Sequence, residues 1–248
     1  PTEVLRVGGA IFNHPQNLAE FVAHVARRAA ERTMVVVHGG GEWISELHAQ
    51  LGLETIKHAG LRATPPESMK AVAMALRGAA NSCLVGHLVV RGVPALGVSG
   101  VDLGLMRSEF LDVEKLGRVG GPPRVDAQAL RGLLGLGYVP VIAPVCLGPD
   151  GGLLNVNADT VAEAVAAALG AASLDFVSDV PGVYEAPGRV RPRIRGSELE
   201  AFLEEAEIRG GMIPKLRASL AAVQAGVGRV RIGTLATLDS DQATEIVR

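Results

Sequence analysis

Short apolar runs of strand length alternate with helical patterns along most of this chain, and that alternation narrows the fold more than any other feature. Val4–Val7 is one such run; Met34–Val37 is another, unbroken and followed at once by glycines. Between them Leu18, Phe21, Val22, Val25 and Ala29 recur at helical spacing. The rhythm then predicts helices over Glu42–Leu51 and from Pro66 to about Arg91, and a strand over Val93–Val98. Further on it predicts a helix over Asp126–Leu136, a strand over Tyr138–Val145, a helix over Asp159–Leu169 and a strand over Leu174–Ser178. Helices over Ser197–Glu207 and Met212–Ala225 and a strand over Arg229–Ile232 complete it. Strands alternating with helices imply a mostly parallel sheet covered on both faces, and uninterrupted apolar strands fit burial from both sides. Two stretches break the pattern. Leu105–Pro123 reads as a hairpin or an excursion at one edge, and the polar, proline-bearing Gly182–Gly196 as a hairpin or loop. A lobe boundary falls near Gly170, with the sheet running through it.

Composition excludes several function classes. A net charge of -2 gives no bulk attraction to nucleic acid. No run reaches the roughly 20 apolar residues of a membrane span, and no signal-peptide pattern opens the sequence, so a soluble cytoplasmic protein is expected. Cys83 and Cys146 sit in apolar surroundings without metal-type spacing and read as buried free thiols. The histidines form no HxxxH pair. Lys57, Lys70, Lys115 and Lys215 are the only lysines among 24 basic residues, which makes each of them more informative than usual.

Three segments carry chemistry. In Met34–Glu42 a buried strand runs through His38 into Gly39-Gly40-Gly41 and then a helix. Glycine leaves no side chain between backbone and ligand, and the helix start presents unpaired N–H groups to an anion. Gly8-Gly9 repeats the arrangement after the first strand. Neither is a Walker sequence or a dinucleotide fingerprint. In Leu154–Asp159, two amides and a carboxylate are packed into a strand-to-helix junction, where the ordinary use of Asp or Asn is an N-cap. In Gly210–Lys215, a lysine follows two glycines and Pro214 at a helix start, placed to reach a phosphate from a rigid base. Arg62, in a loop before the long helix, is suited to a two-pronged grip on a carboxylate.

These segments, with Gly60–Thr64, Leu116–Gly120, Pro140–Val145 and Ser178–Val183, occur in an order that resembles the amino acid kinase family, and within it the acetylglutamate kinases. The resemblance implies an open three-layer αβα sandwich with a mainly parallel central sheet. It implies an amino-acid-substrate lobe over residues 1–170 and a nucleotide-binding lobe over 171–248. The implied reaction moves the γ-phosphoryl of ATP, with Mg2+, onto the side-chain carboxylate of N-acetyl-L-glutamate in arginine biosynthesis. By the same resemblance Gly40, Gly41 and Gly9 cradle substrate and phosphoryl, with Gly9 on the nucleotide side. Arg62 and Asn155 hold the substrate, and Lys215 stabilises charge on the nucleotide. Asp159 orients the two cations flanking the phosphoryl, and Ser178, Asp179 and Val183 border the nucleotide.

The chain departs from the pattern where relatives carry Lys in Lys-x-Gly-Gly, since here that position is Arg6, and again at Ala243-Thr244 in place of Gly-Thr. Arg6 keeps open a catalytically impaired homologue beside an active kinase. A kinase of the carrier-bound aminoadipate of lysine biosynthesis is the alternative within the same fold. Because the first strand begins almost at the first residue, a homodimer lacking the N-terminal arm of arginine-inhibited hexamers is expected.

Overall fold

The computed structural model describes residues 1–58, 60–205 and 211–248. The central sheet has eight strands: β1 (Thr2–Val7), β2 (Thr33–His38), β3 (Ala95–Ser99), β4 (Val139–Ala143), β5 (Ser173–Val177), β6 (Arg193–Arg195), β7 (Arg229–Gly233) and β8 (Thr244–Val247). Their order across the sheet is β6-β8-β7-β5-β1-β2-β4-β3. All neighbours from β7 to β3 are parallel, while β8 runs antiparallel to β7 and parallel to β6. The sheet continues across position 170, because β5 pairs directly with β1.

Helices cover both faces. They are α1 (Pro15–Ala29), α2 (Gly41–Leu51), α3 (Pro66–Val90, π-helical over Met74–Ala80), α4 (Ala127–Gly135), α5 (Ala158–Leu169), α6 (Leu199–Glu205), α7 (Met212–Gln224) and α8 (Leu235–Asp239). On one face Val4, Phe176 and Ile232 pack with Val161 and Val165 of α5 and Leu216 and Ala222 of α7. On the other, Leu5, Val7 and Val36 meet Phe21, Val22 and Val25 of α1 and Leu84 and Leu88 of α3. Alternate residues of one strand therefore serve opposite layers, as a period of two requires. Helix α1 shows why this sequence is helical: Pro15 stands in its first turn, Arg27 and Arg28 in its last, and the apolar positions between them share a buried stripe. Phe21 is fully buried there, and Phe21→Ala would cost about 3–5 kcal/mol. By length and composition α3 could cross a membrane, but Met69, Val72, Leu76, Leu84 and Leu88 on it are packed into the fold.

The structure corrects two expectations. The single strand over Tyr138–Val145 is two strands in two sheets, β4 and Val145–Leu147. Pro144 has no N–H to continue the first ladder, and its carbonyl instead takes the Val156 N–H at 3.1 Å. The chain thereby leaves the main sheet for a five-stranded one, which also takes up Met106–Arg107 and Val119–Gly120 from the aperiodic stretch and Arg124–Val125 just beyond it. The second correction concerns Gly182–Gly196. It does form a hairpin, Tyr184–Ala186 with Arg189–Val190, but its end is β6, an edge strand with Ile194 fully buried. One apolar residue between arginines is too weak a pattern to mark a strand. The end of the helix expected over Ser197–Glu207, and Gly210, lie outside the described residues.

The chain passes from β1 to β2 on one side and reaches the other side of β1 only with β5. A reversal of this kind opens a crevice at the carboxyl ends of the strands, the usual place for a ligand in an open α/β sheet.

Candidate active site

Two glycine turns meet at that crevice. The parallel register sets Val7 beside His38, so the turns that follow, Gly8-Gly9 and Gly39-Gly40-Gly41, lie side by side. The Gly39 N–H donates to the Val7 carbonyl at 2.8 Å. A Cβ on Gly9 would come within 3.1 Å of Gly40 Cα and 3.2 Å of Gly40 N. Those neighbours are backbone, so any larger residue would have to push the two turns apart by a few tenths of an ångström. Gly41 opens α2 and Gly9 a short 3-10 turn, and helix starts carry N–H groups without intrahelical partners. The paired turns make a bed of amide donors.

Beside it lies a charged cluster drawn from three elements. Arg6 is the penultimate residue of β1, Asp159 stands in the first turn of α5, and Lys215 in the first turn of α7. Asp159 is 3% exposed and Arg6 8%. Arg6 Nε is 2.6 Å from Asp159 Oδ1, yet the N–H is not aligned on that oxygen, so the contact is ionic rather than a formed hydrogen bond. Lys215 Nζ stands 3.7 Å from the other carboxylate oxygen and donates to the Gly211 carbonyl at 3.4 Å. Burial lowers the Lys215 pKa, as does Arg6; Asp159 and Asp179 oppose the shift. With two cations to one buried anion, the cluster carries net positive charge. The Arg6 guanidinium extends it to the glycines, Nη1 toward Gly8 and Nη2 toward Gly39. An incoming anion meets amides and positive charge together.

The N-cap of α5 is Asn157. Its Oδ1 accepts from the N–H groups of Asp159 and Thr160 at 2.8 and 3.4 Å. Asp159 is thus free of capping and turned to the cations.

Arg62, next to the other edge of the crevice, donates to the Gly41 carbonyl at 2.8 Å, Ser45 Oγ at 2.9 Å and Thr55 Oγ1 at 3.1 Å. Burial lowers its pKa. Asn155 Nδ2 donates to Thr64 Oγ1 at 3.0 Å. Ser45 and Thr55 fix the guanidinium, and nothing in the sequence singles them out: they are isolated hydroxyls without a pattern.

On the far side, Ser178 follows β5. Its N–H donates to the Gly233 carbonyl at 2.8 Å and its hydroxyl to Asp179 at 3.2 Å. Asp179 is exposed. Val183 has its side chain in the core and its N–H on Thr244 Oγ1 at 2.8 Å. It anchors the loop through its backbone, and its side chain offers no polar group. Thr244 also donates to the Arg191 carbonyl at 2.6 Å, so the Ala243-Thr244 pair ties this loop to β8.

A cavity of about 520 Å³ adjoins the cluster, lined by Leu61, Pro122, Asn157, Glu163, Pro214 and Arg217 among others. Burial raises the Glu163 pKa. None of the glycines at residues 9, 40 and 41 lines it, so it lies to one side of the two glycine turns. Among the described residues no group of three or more His, Cys, Asp or Glu side chains could hold a metal ion.

The family model for the amino acid kinase family matches residues 1–234. An acetylglutamate kinase of Chloroflexus aurantiacus is 47% identical over 238 residues, covering 95% of this chain and 92% of the relative. One from Roseiflexus sp. is 45% identical over 251 residues, covering 100% and 94%. Among solved structures, the Streptococcus mutans protein smu.665 superposes with a TM-score of 0.87 at 29% identity, covering 99% of this chain and 98% of that one.

Proposed function

The chain belongs to the amino acid kinase family, and we propose that it transfers the γ-phosphoryl of ATP to the side-chain carboxylate of N-acetyl-L-glutamate, forming an acyl phosphate and ADP in arginine biosynthesis. The observation that carries this reading is the net-positive Arg6–Asp159–Lys215 cluster beside two facing glycine turns. Phosphoryl transfer needs positioning and positive charge more than it needs a base. The attacking carboxylate is ionised at neutral pH, so no proton has to be removed from it.

In this reading Gly40 and Gly41 hold the transferring phosphoryl and the acid's reacting end, and Gly9 meets the nucleotide side. Arg62 and Asn155 hold the acid's unreactive end. Arg6 and Lys215 neutralise charge that builds on the phosphoryl oxygens, and Asp159, between them, offsets their mutual repulsion and keeps both aimed. Ser178, Asp179 and the loop anchored by Val183 border the nucleotide. Mg2+ enters with the substrate as MgATP, a cation that commonly binds through substrate phosphates. Acid would lie on the 1–170 side and nucleotide on the 171–248 side. The enzyme works in the cytoplasm. It does so as a two-fold dimer, the commonest soluble assembly; exposed Met74, Val89 and Val90 on α3 favour such a partner.

Incubation of purified protein with MgATP, N-acetyl-L-glutamate and hydroxylamine should give the N-acetylglutamyl hydroxamate, with phosphate released. The carrier-bound aminoadipate substrate, run alongside, should give none. Hydroxamate from aminoadipate alone would move the enzyme to lysine biosynthesis. None from either acid would leave a binding homologue, with Arg6 as the first residue to revert.

A further inference from the structure

His38 is fully buried at the end of β2, one residue before the glycine turn. Its Nδ1 lies 2.8 Å from the Gly39 carbonyl oxygen and its Nε2 3.0 Å from Asn81 Nδ2. The orientation of Asn81 follows from its partners. Asn81 Nδ2 is also 2.9 Å from the Val141 carbonyl, which can only accept. Asn81 Oδ1 is 3.2 Å from Arg77 Nη1, which can only donate. The amide nitrogen therefore faces the histidine, His38 Nε2 has to accept, and the single imidazole proton sits on Nδ1 and is donated to Gly39. Arg77 is held in turn by the Gly97 carbonyl at 3.1 Å and by Asp102 at 3.5 Å. A Cβ on Gly97 would collide with Asn81 Oδ1.

The peptide plane converts this hydrogen bond into an aim. In a trans peptide the carbonyl of one residue and the N–H of the next point in opposite directions. Holding the Gly39 carbonyl toward His38 turns the Gly40 N–H away from it, and Gly40 N lies against Gly9 in the gap between the two turns. The same segment of α3 also backs the turn by packing. The Asn81 N–H bonds the Leu76 carbonyl, a π-type step of five residues, and Leu76 and Ala80 are the side chains nearest to where a Gly40 Cβ would stand. π turns are rare and recur at functional sites. An apolar residue would fill the His38 site without requiring Asn81, Arg77 or Gly97.

We propose that His38 and Asn81, steadied by Arg77, are positioning residues: they lock the imidazole as its Nδ1–H tautomer and so aim the Gly40 amide at the transferring phosphoryl. This rests on the reading of Gly40 given above. Burial, which lowers the His38 pKa to about 4, keeps the ring neutral at working pH.

Three substitutions separate aiming from core filling. Asparagine carries its amide nitrogen at the level of Nδ1, glutamine at the level of Nε2, and leucine has neither. His38→Asn should keep kcat within about tenfold of the parent, while His38→Gln and His38→Leu lose about 100-fold with KM for both substrates little changed, the effect of misaiming one donor to a developing charge. If His38 only fills space, the smaller asparagine leaves the cavity and ranks below leucine and glutamine; that order overturns the proposal. Nitrogen-15 NMR of the wild-type imidazole supplies a readout independent of turnover. Between about pH 6 and 8, where an ordinary imidazole titrates, the proton should stay on Nδ1 alone. An Nε2–H tautomer, or titration in that window, overturns the positioning role even if the enzyme is active. The tautomer without any turnover of acid overturns the assigned reaction and leaves the positioning supported.

Discussion

Asp159→Asn removes a charge and nothing else of consequence: the side chain keeps its shape, and the cap of α5 is Asn157. The charge is buried between two cations at 2.6 and 3.7 Å. At an effective dielectric of about 20 the two attractions are about 6 and about 4 kcal/mol before desolvation is counted. Neutralising a buried carboxylate returns several kcal/mol of that, and the usual net cost of breaking a buried pair from one side is about 3–5 kcal/mol. For a chain of this size the melting temperature should fall by on the order of 10 °C. Turnover should fall by about 100-fold or more, because the cations then repel and lose their aim at the phosphoryl.

The pH dependence of the variant has a definite sign. Asp159 is one of the groups that raise the Lys215 pKa; burial and Arg6 lower it. Without Asp159 the lysine sheds its proton at lower pH, and the basic limb of kcat/KM moves down. A lysine whose folded pKa lies below its unfolded value costs stability while protonated. Stability is therefore regained as pH rises from the folded pKa toward the ordinary 10.5, and the gap between variant and parent should narrow. Hydroxamate or ADP-release kinetics and thermal melts across pH test all of this. Near-parental kcat, or an unchanged melting temperature, would refute the placing of Asp159 between working cations.

Arg62→Ala should raise KM for the acid with a smaller effect on kcat, since its proposed partner is unchanged during transfer; a pure kcat loss contradicts that role. Arg6→Lys should raise kcat with little change in ATP affinity, because a compact ammonium fits the transferring group better than a planar fork. A slower Arg6→Lys enzyme would mean the site has adapted to guanidinium. Gly9→Ala should cripple turnover, as its Cβ meets Gly40 backbone at 3.1 Å, whereas Gly41→Ala meets only an Arg62 nitrogen at 3.8 Å and should retain more activity; the reverse order in steady-state assays counts against the facing turns. His38, with its pKa taken from 6.5 to about 4 by burial, binds a proton more readily unfolded than folded, so it makes stability fall between those pH values by up to about 3 kcal/mol. Urea melts of His38→Leu should show a correspondingly weaker acid dependence.

Much of the layering was legible in local sequence, because a strand buried on both faces has to be apolar throughout and a helix lying on a sheet has to be apolar on one side. Met34–Val37 and the Leu18–Ala29 pattern state their places without reference to any other segment. The glycine turns were legible for a similar reason: backbone approaching backbone leaves no room for a Cβ. Where several local uses compete, the chain alone does not choose. Asn157 and Asp159 are both ordinary caps, and only the approach of Arg6 and Lys215, from β1 and α7, decides that Asn157 caps and Asp159 meets charge. Tyr138–Val145 reads as one strand because its apolar character does not stop at Pro144; the break comes from a missing N–H and from the competing Val156 bond. The His38–Asn81 contact leaves no local trace at all, since 43 residues separate its partners and a lone asparagine in an apolar helix has no period. Short-range physics writes burial and backbone room into neighbouring residues. Which polar groups become partners is settled only when the sheet order and the π turn of α3 bring distant segments together.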